Sequence, residues 1–197
     1  MKITVFTPTY NRAHLLDKLY TSLVIQTNRD FEWLIVDDGS IDDTKDVVQS
    51  FIKDDKIKIR YIFQENGGKH RAINKGLDHT KSELFFIVDS DDYLIPTAIE
   101  KIIYKYKTIE NSKEFAGISF NKGFTENKLV GKTFSLDYID CTNLERGKNN
   151  ILGDKSEIYR TEILRNIKFP EIEGENFMSE IVLWNEVARQ GYKLRWY

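Results

Sequence analysis

Apolar and polar positions alternate in blocks along roughly the first hundred residues. Short apolar runs, typical of buried strands, occur at residues 3–7, 31–36, 57–63 and 84–88. Between these runs, apolar residues recur at helical spacing, which predicts helices after residue 11, from about 43, over 69–79 and from Pro96. Four such alternations predict a single α/β domain with a mostly parallel central sheet flanked by helices.

The pattern becomes less regular after residue 115. It predicts strands over 115–121, 129–134 and 192–196, and helices over 155–166 and 179–190. We therefore separate a first part of the domain, residues 1–115, from a second part, residues 116–197. The sequence ends inside the last predicted strand, so we expect it to be shortened at the C-terminus.

A cluster of acidic residues follows the fourth predicted strand. Asp89, Asp91 and Asp92 lie within four positions, and carboxylates this close repel one another unless a cation is near. Since alternate residues of an extended chain face the same side, Asp89 and Asp91 converge and suit a hard cation, Mg²⁺ or Mn²⁺. An acidic turn that caps the next helix is the alternative, and these residues alone do not separate the two.

The turns after the first two strands carry different signals. The second strand runs into Asp37 and Asp38, and Ser40 or Asp42 can cap the next helix. An acid at this position can accept a hydrogen bond from a ribose or a base. The first strand is followed by TPTYNR, in which Asn11 is predicted to cap the first helix. That turn lacks the glycine fingerprints of dinucleotide-binding and P-loop proteins, so both of those folds are disfavoured.

A third polar stretch, ENGGKHRAINKG at residues 65–76, places cations at the start of a predicted helix. Lys69, His70 and Arg71 oppose the helix dipole there unless an anion lies nearby. They could meet the phosphates of a ligand or neutralise the neighbouring aspartates. The sequence leaves both interpretations open.

Composition and charge narrow the function classes. The formal net charge is −2, from 29 basic and 31 acidic residues, which is not the electrostatic footprint of a nucleic-acid-binding protein. Cys141 is the single cysteine, so an intrachain disulfide is excluded. No window holds the ~18 consecutive apolar residues of a membrane-spanning helix, and we recognise no signal peptide. We therefore expect a cytoplasmic location.

Taken together and in this order, the motifs TPTYNR, VDDGS, NGG with AINKG, and DSDD resemble those of the inverting family 2 of glycosyltransferases, of the bacterial polysaccharide and glycolipid type. Residues 169–191 are similar to the acceptor-side helix of that family. The resemblance implies the glycosyltransferase A-type fold, with a donor-binding half at 1–115 and an acceptor-side half at 116–197. It also implies metal-dependent transfer of a sugar, with inversion, from a nucleotide diphosphate sugar, usually a UDP sugar, to an acceptor hydroxyl.

The resemblance further implies roles for individual residues. Asp91 is expected to bind Mn²⁺ or Mg²⁺ on the diphosphate, and Glu180 to act as the catalytic base. Asp154 and Trp184 are candidates for the acceptor side. The residues assigned to the donor nucleotide are Thr7, Pro8, Thr9, Tyr10, Arg12, Asp38, Gly68, Lys69, Arg71, Asn74, Asp89 and Ser90.

Two departures from the family pattern bear on these roles. The family often has arginine where this chain has Ile73, which leaves Lys69 or Arg71 to supply that charge. It often has Glu-Asp where this chain has Glu180 followed by isoleucine, so Glu180 is the sole candidate base. A structural acid in the first turn of a helix capped by Ser179 would look the same. The predicted apolar stripe of that helix consists of Phe177, Ile181, Trp184 and Ala188.

Two other functions stay open. A nucleotidyltransferase would also use metal and carboxylates on an α/β sheet, although it should carry a glycine-rich basic stretch after the first strand. A module that binds a nucleotide sugar without catalysis is the second alternative. For the transferase, the resemblance implies a saccharide or lipid-linked saccharide acceptor and no nucleic acid, and it allows peripheral association with the inner face of the cell membrane.

Overall fold

The computed structural model describes residues 1–125, 128–131 and 133–197. Eight strands form one central sheet, and two more form a separate ribbon, β6–β7. The strands are β1 (Ile3–Thr9), β2 (Phe31–Asp37), β3 (Ile59–Phe63), β4 (Leu84–Ile87), β5 (Phe115–Asn121), β6 (Gly123–Thr125), β7 (Lys128–Leu129), β8 (Ile139–Cys141), β9 (Lys155–Arg160) and β10 (Lys193–Trp196).

The order of strands in the main sheet is β3-β2-β1-β4-β9-β5-β10-β8. β1 pairs in parallel with β2 and β4, and β2 pairs in parallel with β3. β9 is antiparallel to both of its neighbours, β4 and β5, whereas β10 is parallel to β5. The predicted α/β domain with a mostly parallel sheet is therefore confirmed.

Helices cover both faces of the sheet. They are α1 (Ala13–Val24), α2 (Thr44–Asp54), α3 (Lys69–His79), α4 (Ala98–Tyr106), α5 (Thr161–Ile167) and α6 (Ile181–Arg189), with a 3₁₀ turn at Asn143–Glu145. α1, α2 and α4 pack into a core that contains Ile3 and Val5 of β1. α3, α5 and α6 pack into a second core that contains Phe6. Because the strand buries both of its faces, its sequence reads as a nearly continuous apolar run.

The predicted helix over residues 155–166 is wrong in its first half. Lys155–Arg160 forms β9, and the helix α5 begins only at Thr161. β9 fills the gap between β4 and β5, where Ile158 pairs with both Phe86 and Ile118. Long-range pairing on both edges thus overrides the helical spacing of the sequence.

The predicted strand over residues 129–134 is largely wrong as well. In the part of that range that the structure describes, only Leu129 lies in a strand, at the end of the short ribbon β6–β7; residue 132 lies outside the described residues. β8, which borders β10, was not predicted. As to a membrane, none of the helices in the described ranges has the length and apolar character needed to span a bilayer.

Candidate functional site

The polar motifs meet at the carboxyl edge of the parallel strands. β1 lies between β2 and β4, so the direction in which the sheet grows along the chain reverses between β1 and β4. Ligands of open α/β sheets bind at such a reversal, outside the carboxyl ends of the strands. The loops that follow β1, β2, β3 and β4 all emerge at this edge.

The loops after β1 and β2 hold each other in place. The Asn11 backbone N–H donates to Ser40 Oγ at 2.8 Å, and Asn11 Oδ1 accepts from the Ile41 N–H at 2.8 Å. Asp42 Oδ2 accepts from the Ala13 N–H at 3.0 Å. Asn11 therefore does not cap α1 as predicted, because its side chain and its positive φ of 53° serve the contact between loops. Ser40 likewise contacts the other loop rather than α2.

Asp38 is bound by the glycine turn that follows β3. Its Oδ1 accepts from Gln64 Nε2 at 2.6 Å and the Gly67 N–H at 2.9 Å. Its Oδ2 accepts from the Gly68 N–H at 2.8 Å and Asn66 Nδ2 at 3.3 Å. Four donors satisfy this carboxylate, so an incoming base has to share Asp38 with the turn or displace one of these donors.

The residues at the end of β1 differ in accessibility. Thr7 is fully buried, and its hydroxyl accepts a hydrogen bond from Trp33 Nε1 at 2.9 Å. The Thr7 side chain thus lies beneath the expected nucleoside site, which departs from its predicted role. Pro8 and Thr9 are also buried, whereas Tyr10 is 48% exposed and offers an aromatic face.

Lys69, the first residue of α3, joins two carboxylates from distant parts of the chain. Its Nζ lies 2.6 Å from Asp89 Oδ1 and 2.8 Å from Glu180 Oε1. Burial alone would lower the pKa of Lys69, but the adjacent Glu180 and Asp89 carboxylates outweigh burial and hold that pKa above its ordinary value. Lys69 therefore stays charged, and the predicted base lies beside the predicted donor site.

The predicted metal ligand Asp91 projects toward solvent, with 55% of its side chain exposed. Arg12 Nη1 lies 3.4 Å from Asp91 Oδ2 and 3.5 Å from the buried Ser90 Oγ. Within the described ranges, no group of three or more histidine, cysteine or carboxylate side chains converges on one point. Mg²⁺ is commonly held by one or two carboxylates together with substrate phosphates, and the oxygen donors of Asp91 fit a metal bound in that way.

Arg71 and Asn74 do not point toward these carboxylates. The Arg71 guanidinium donates to the carbonyls of Gly67, Ile172 and Glu175. Asn74 is 4% exposed and makes hydrogen bonds with both the N–H and the carbonyl of Phe169. Two residues predicted to bind the donor therefore hold the segment that precedes α6.

Sequence reasoning missed a lysine on the acceptor side. Lys122 Nζ lies 3.2 Å from Asp92 Oδ2 and 3.0 Å from Asp154 Oδ2, so it joins the acidic cluster to the predicted acceptor-side residue. Burial alone would lower the pKa of Lys122. The Asp92 and Asp154 carboxylates outweigh burial, so the pKa of Lys122 lies above its usual range. Lys122 directly follows the predicted strand 115–121. Its proximity to Asp92 and Asp154 could have been predicted from this position only if the strand order had been known.

Glu157 is a second residue that the sequence did not single out. Its side chain is 10% exposed, and its ion pair with Arg146 Nη1 is long, at 4.0 Å. Burial raises the pKa of Glu157 to about 8, and Asp154 and Glu180 act in the same direction while Arg146 opposes them. A carboxyl group that is largely protonated at neutral pH thus lies near the predicted base.

The start of α6 departs from its predicted geometry. Glu180, not Ser179, is the N-cap residue, and the helix begins at Ile181. Phe177 and Ile181 are 77% and 42% exposed. The buried stripe consists of Leu183, Trp184, Val187 and Ala188. Trp184 stacks on Tyr159, with ring centroids 4.4 Å apart, inside the second core. Trp184 therefore packs α6 against the second core, and its buried side chain does not present a surface to an acceptor.

Comparison with known proteins gives consistent matches. A sequence model described as glycosyl transferase family 2 matches residues 4–168. The chain is 30% identical over 196 residues to the GalNAc(5)-diNAcBac-PP-undecaprenol beta-1,3-glucosyltransferase of Campylobacter jejuni, covering 96% of this chain and 60% of that protein. The chain thus spans somewhat less than two thirds of the length of this relative.

Solved structures share the fold at lower identity. TarS of Staphylococcus aureus in complex with UDP superposes with a TM-score of 0.79 at 23% identity, covering 100% of this chain and 58% of the TarS chain. The mannosyltransferase PcManGT of Pyrobaculum calidifontis, in complex with GDP-Man and Mn²⁺, gives a TM-score of 0.67 at 19% identity over 98% of this chain and 53% of its own. The glycosyltransferase A-type fold is therefore shown.

Proposed function

The chain belongs to glycosyl transferase family 2, and on that premise we propose that its site transfers a sugar from a UDP sugar to an acceptor hydroxyl, with inversion at the anomeric carbon. The observation that carries this proposal is the position of Lys69 between Asp89 and Glu180. A fixed positive charge, a donor-side carboxylate and a candidate base thus lie within one site at the reversal point of the sheet.

The donor is proposed to bind across the loops after β1, β2 and β4. Tyr10 offers an exposed ring for the uracil, and the Asp38 turn lies beside it in the sheet, since the Asp38 N–H donates to the Thr9 carbonyl at 2.8 Å. Asp89 is proposed to contact the ribose and Arg12 the diphosphate. A Mn²⁺ or Mg²⁺ ion held by Asp91 would neutralise charge on the leaving diphosphate when bound.

Lys69 is proposed to exchange partners when the donor binds. A diphosphate carries more negative charge than a single carboxylate, so it competes with Glu180 for the Lys69 ammonium group. Release from Lys69 leaves Glu180 able to accept a proton. Lys69 then stabilises the negative charge that develops on the leaving group.

Glu180 is proposed to act as the base in a single displacement. It takes the proton from the acceptor hydroxyl while that oxygen attacks the anomeric carbon. The bond from the anomeric carbon to the diphosphate oxygen breaks, and the electron pair leaves with UDP. One displacement at this carbon inverts its configuration, and no second carboxylate is needed as a nucleophile.

The acceptor is proposed to be a saccharide or a lipid-linked saccharide, since the Campylobacter jejuni relative is named for an undecaprenol-linked acceptor. Asp154, exposed and paired with Lys122, is positioned to contact acceptor hydroxyls. Such an acceptor would bring the protein to the inner face of the cell membrane as a peripheral partner.

Calorimetric titration of UDP, GDP and dTDP, each with and without Mn²⁺, tests the donor half of this proposal. We expect UDP to bind wild type with Mn²⁺, and binding to weaken at least 10-fold in Asp91→Ala. Asp55→Ala, which removes an exposed acid after α2, is the matched control. A chain that binds no nucleotide would contradict the proposal.

Turnover of UDP sugars then tests the chemistry. Release of UDP with a glycosylated acceptor supports the transferase. Release of pyrophosphate would instead identify a nucleotidyltransferase, and tight UDP binding without transfer or slow donor hydrolysis would identify a binding module.

A further inference from the structure

We propose that Arg71 is a positioning residue for Glu180, and that of the two cations at the start of α3 only Lys69 acts on the donor. Arg71 does this by holding residues 169–176, which we call the anchored segment, against α3. The inference rests on the proposed function, because it concerns the placement of the proposed base.

Three of the five N–H donors of Arg71 are already engaged by backbone carbonyls. Nη1 donates to the Gly67 carbonyl at 2.6 Å and to the Glu175 carbonyl at 2.8 Å, and Nη2 donates to the Ile172 carbonyl at 2.6 Å. Nε faces Glu171 Oε2 at 3.8 Å. A guanidinium has five N–H donors in a fixed fork, so few remain for a diphosphate. Lys69, by contrast, pairs with the Asp89 and Glu180 carboxylates, which a ligand can displace.

The other end of the anchored segment is fixed by Asn74, one turn further along α3. Asn74 Oδ1 accepts from the Phe169 N–H at 2.9 Å, and Nδ2 donates to the Phe169 carbonyl at 3.0 Å and to Glu171 Oε1 at 2.8 Å. His70, fully buried on the same helix, packs edge-on against the Phe169 ring. Burial and the neighbouring Arg71 lower the pKa of His70, so this contact is made by a neutral ring.

The anchored segment also touches the turn that binds Asp38. A Cβ atom built on Gly68 would lie 2.0 Å from the Asn176 carbonyl oxygen, so the end of the segment lies directly against that turn. Only residues 177–179 separate Asn176 from Glu180, and Phe177 and Ser179 are exposed. Met178 is half-buried against the second core, so the anchored segment, Met178 and the buried face of α6 together set the position of Glu180.

The consequence for catalysis is that different residues of α3 have different roles toward Glu180. Lys69 contacts the Glu180 carboxylate itself, while Arg71 and Asn74 set the path of the chain that delivers Glu180. A shift of about 1 Å in a base is enough to lower a rate by on the order of 100-fold. Loss of Arg71 should therefore slow turnover while leaving the donor site intact.

The test compares Arg71→Gln with Lys69→Gln and with Lys75→Gln, which removes a positive charge from the same helix. For Arg71→Gln we expect kcat to fall 10-fold to 100-fold, with the Kd for UDP and Mn²⁺ changed less than about 3-fold. For Lys69→Gln we expect the Kd to rise at least 10-fold, and for Lys75→Gln neither value to change. Arg71→Lys, which can reach one carbonyl but not three, should recover part of the loss in kcat.

Hydrogen exchange of residues 169–179 gives a readout that does not depend on turnover. We expect amide exchange in the anchored segment to increase at least 10-fold in Arg71→Gln and to match wild type in Lys75→Gln. If Arg71→Gln fails to fold, Asn74→Asp takes its place in both measurements. It replaces the Nδ2 donor to the Phe169 carbonyl, at the other end of the segment, by an oxygen that can only accept.

The outcomes separate the inference from the proposed function. If Arg71→Gln weakens UDP binding as much as Lys69→Gln does, Arg71 is a donor ligand and the inference is overturned, while the transferase stands. If wild type binds no nucleotide, the proposed function fails. In that case unchanged exchange in the anchored segment of Arg71→Gln would overturn the inference as well, and increased exchange would support the anchoring role.

Discussion

Asp38 and Glu157 are both carboxylates held nearly out of water at the same edge of the sheet, yet the protein treats them in opposite ways. Asp38 is 5% exposed and accepts four hydrogen bonds from the turn after β3. Glu157 lies one position beyond the Phe86–Ile158 pair, toward the carboxyl end of β4. Its ion pair with Arg146 is long, at 4.0 Å.

The difference separates the proposed donor and acceptor halves of the site. In the proposed donor half, the turn after β3 satisfies Asp38, so that geometry is built before any ligand arrives. In the acceptor half, charged groups from β5, β9 and α6 meet only through the tertiary fold. Buried charge with incomplete pairing is costly and shifts pKa values, and such groups are available to respond to a ligand.

The largest effect should come from the acceptor half. Glu180→Gln keeps the size of the side chain but removes the proton acceptor, so we expect kcat to fall by about 10²-fold to 10⁴-fold. The Kd for UDP should not rise, because Glu180 is not assigned to the donor and its neutralisation leaves Lys69 free to pair with the diphosphate. Steady-state transfer and calorimetry measure the two effects.

The matched control for this change is Glu186→Gln, on the same helix, where the acid pairs with exposed Arg189 at 3.4 Å. Full activity in Glu180→Gln would overturn the assignment of Glu180 as the catalytic base. It would leave the residue as a structural acid at the start of α6.

In the donor half, the strongest change is Asp38→Asn. An amide cannot accept from four donors, so at least one N–H of the Gly67–Gly68 turn would be left facing an NH₂ group. A buried donor left without a partner costs about 1–3 kcal/mol, and we expect the free energy of unfolding in urea to fall by about 2–3 kcal/mol.

Asp17→Asn, an exposed acid on α1, should change the unfolding free energy by less than about 0.5 kcal/mol. If Asp38→Asn were equally mild, the four hydrogen bonds would not stabilise the donor half. The contrast with Glu157 would then disappear.

A smaller effect is expected from Gly68→Ala, which tests the contact between the two halves. Gly68 has a φ of +95°, and an added Cβ would approach the Asn176 carbonyl oxygen to 2.0 Å. We expect the loss of about 1–3 kcal/mol of stability that is typical of a strained backbone position, together with faster amide exchange in the anchored segment. Gly147→Ala is the control, because a Cβ there meets nothing within 4 Å.

How far the sequence predicts the site follows the same division. The motifs of the donor half are local, so the strand ends and the turn at Asp38 could be placed from residue spacing. Arg71 has the positive charge that a diphosphate requires. The sequence could not show that its guanidinium donates instead to the Ile172 and Glu175 carbonyls. These partners lie about a hundred residues away, and only the assembled fold brings them to α3.

The acceptor half was predicted less well for a physical reason. β9 has helical spacing in its sequence and becomes a strand because β4 and β5 leave a gap between them. Once residues 155–160 are assigned to a helix, Glu157 cannot be placed beside Glu180. The family resemblance also implied an acceptor role for Trp184, although Tyr159 on the same misassigned strand covers it.

Glu157 therefore tests the comparison through the pH dependence of stability. Its pKa is about 8 in the folded protein and about 4.3 in an unfolded chain, so the folded state binds the additional proton. That contribution to stability is complete below about pH 4.3. It decreases as the pH rises and is gone above the folded pKa of about 8. The groups around it are Arg146 and Lys155, which favour the charged form, and Asp154, Glu180 and Tyr159, which do not.

In Glu157→Gln this proton is absent, so we expect a flatter dependence of unfolding free energy on pH between 5 and 8.5. One proton can contribute at most about 1.4 kcal/mol per pH unit. The two pKa values correspond to a change on the order of 4 kcal/mol over the whole range, and the folded pKa already includes the compensation by Arg146. Urea unfolding at several pH values measures it, with Glu162→Gln on the exposed side of α5 as the control. Parallel curves for wild type and Glu157→Gln would mean that Glu157 is ionised like an ordinary surface acid. The two halves of the site would then hold their carboxylates in the same way.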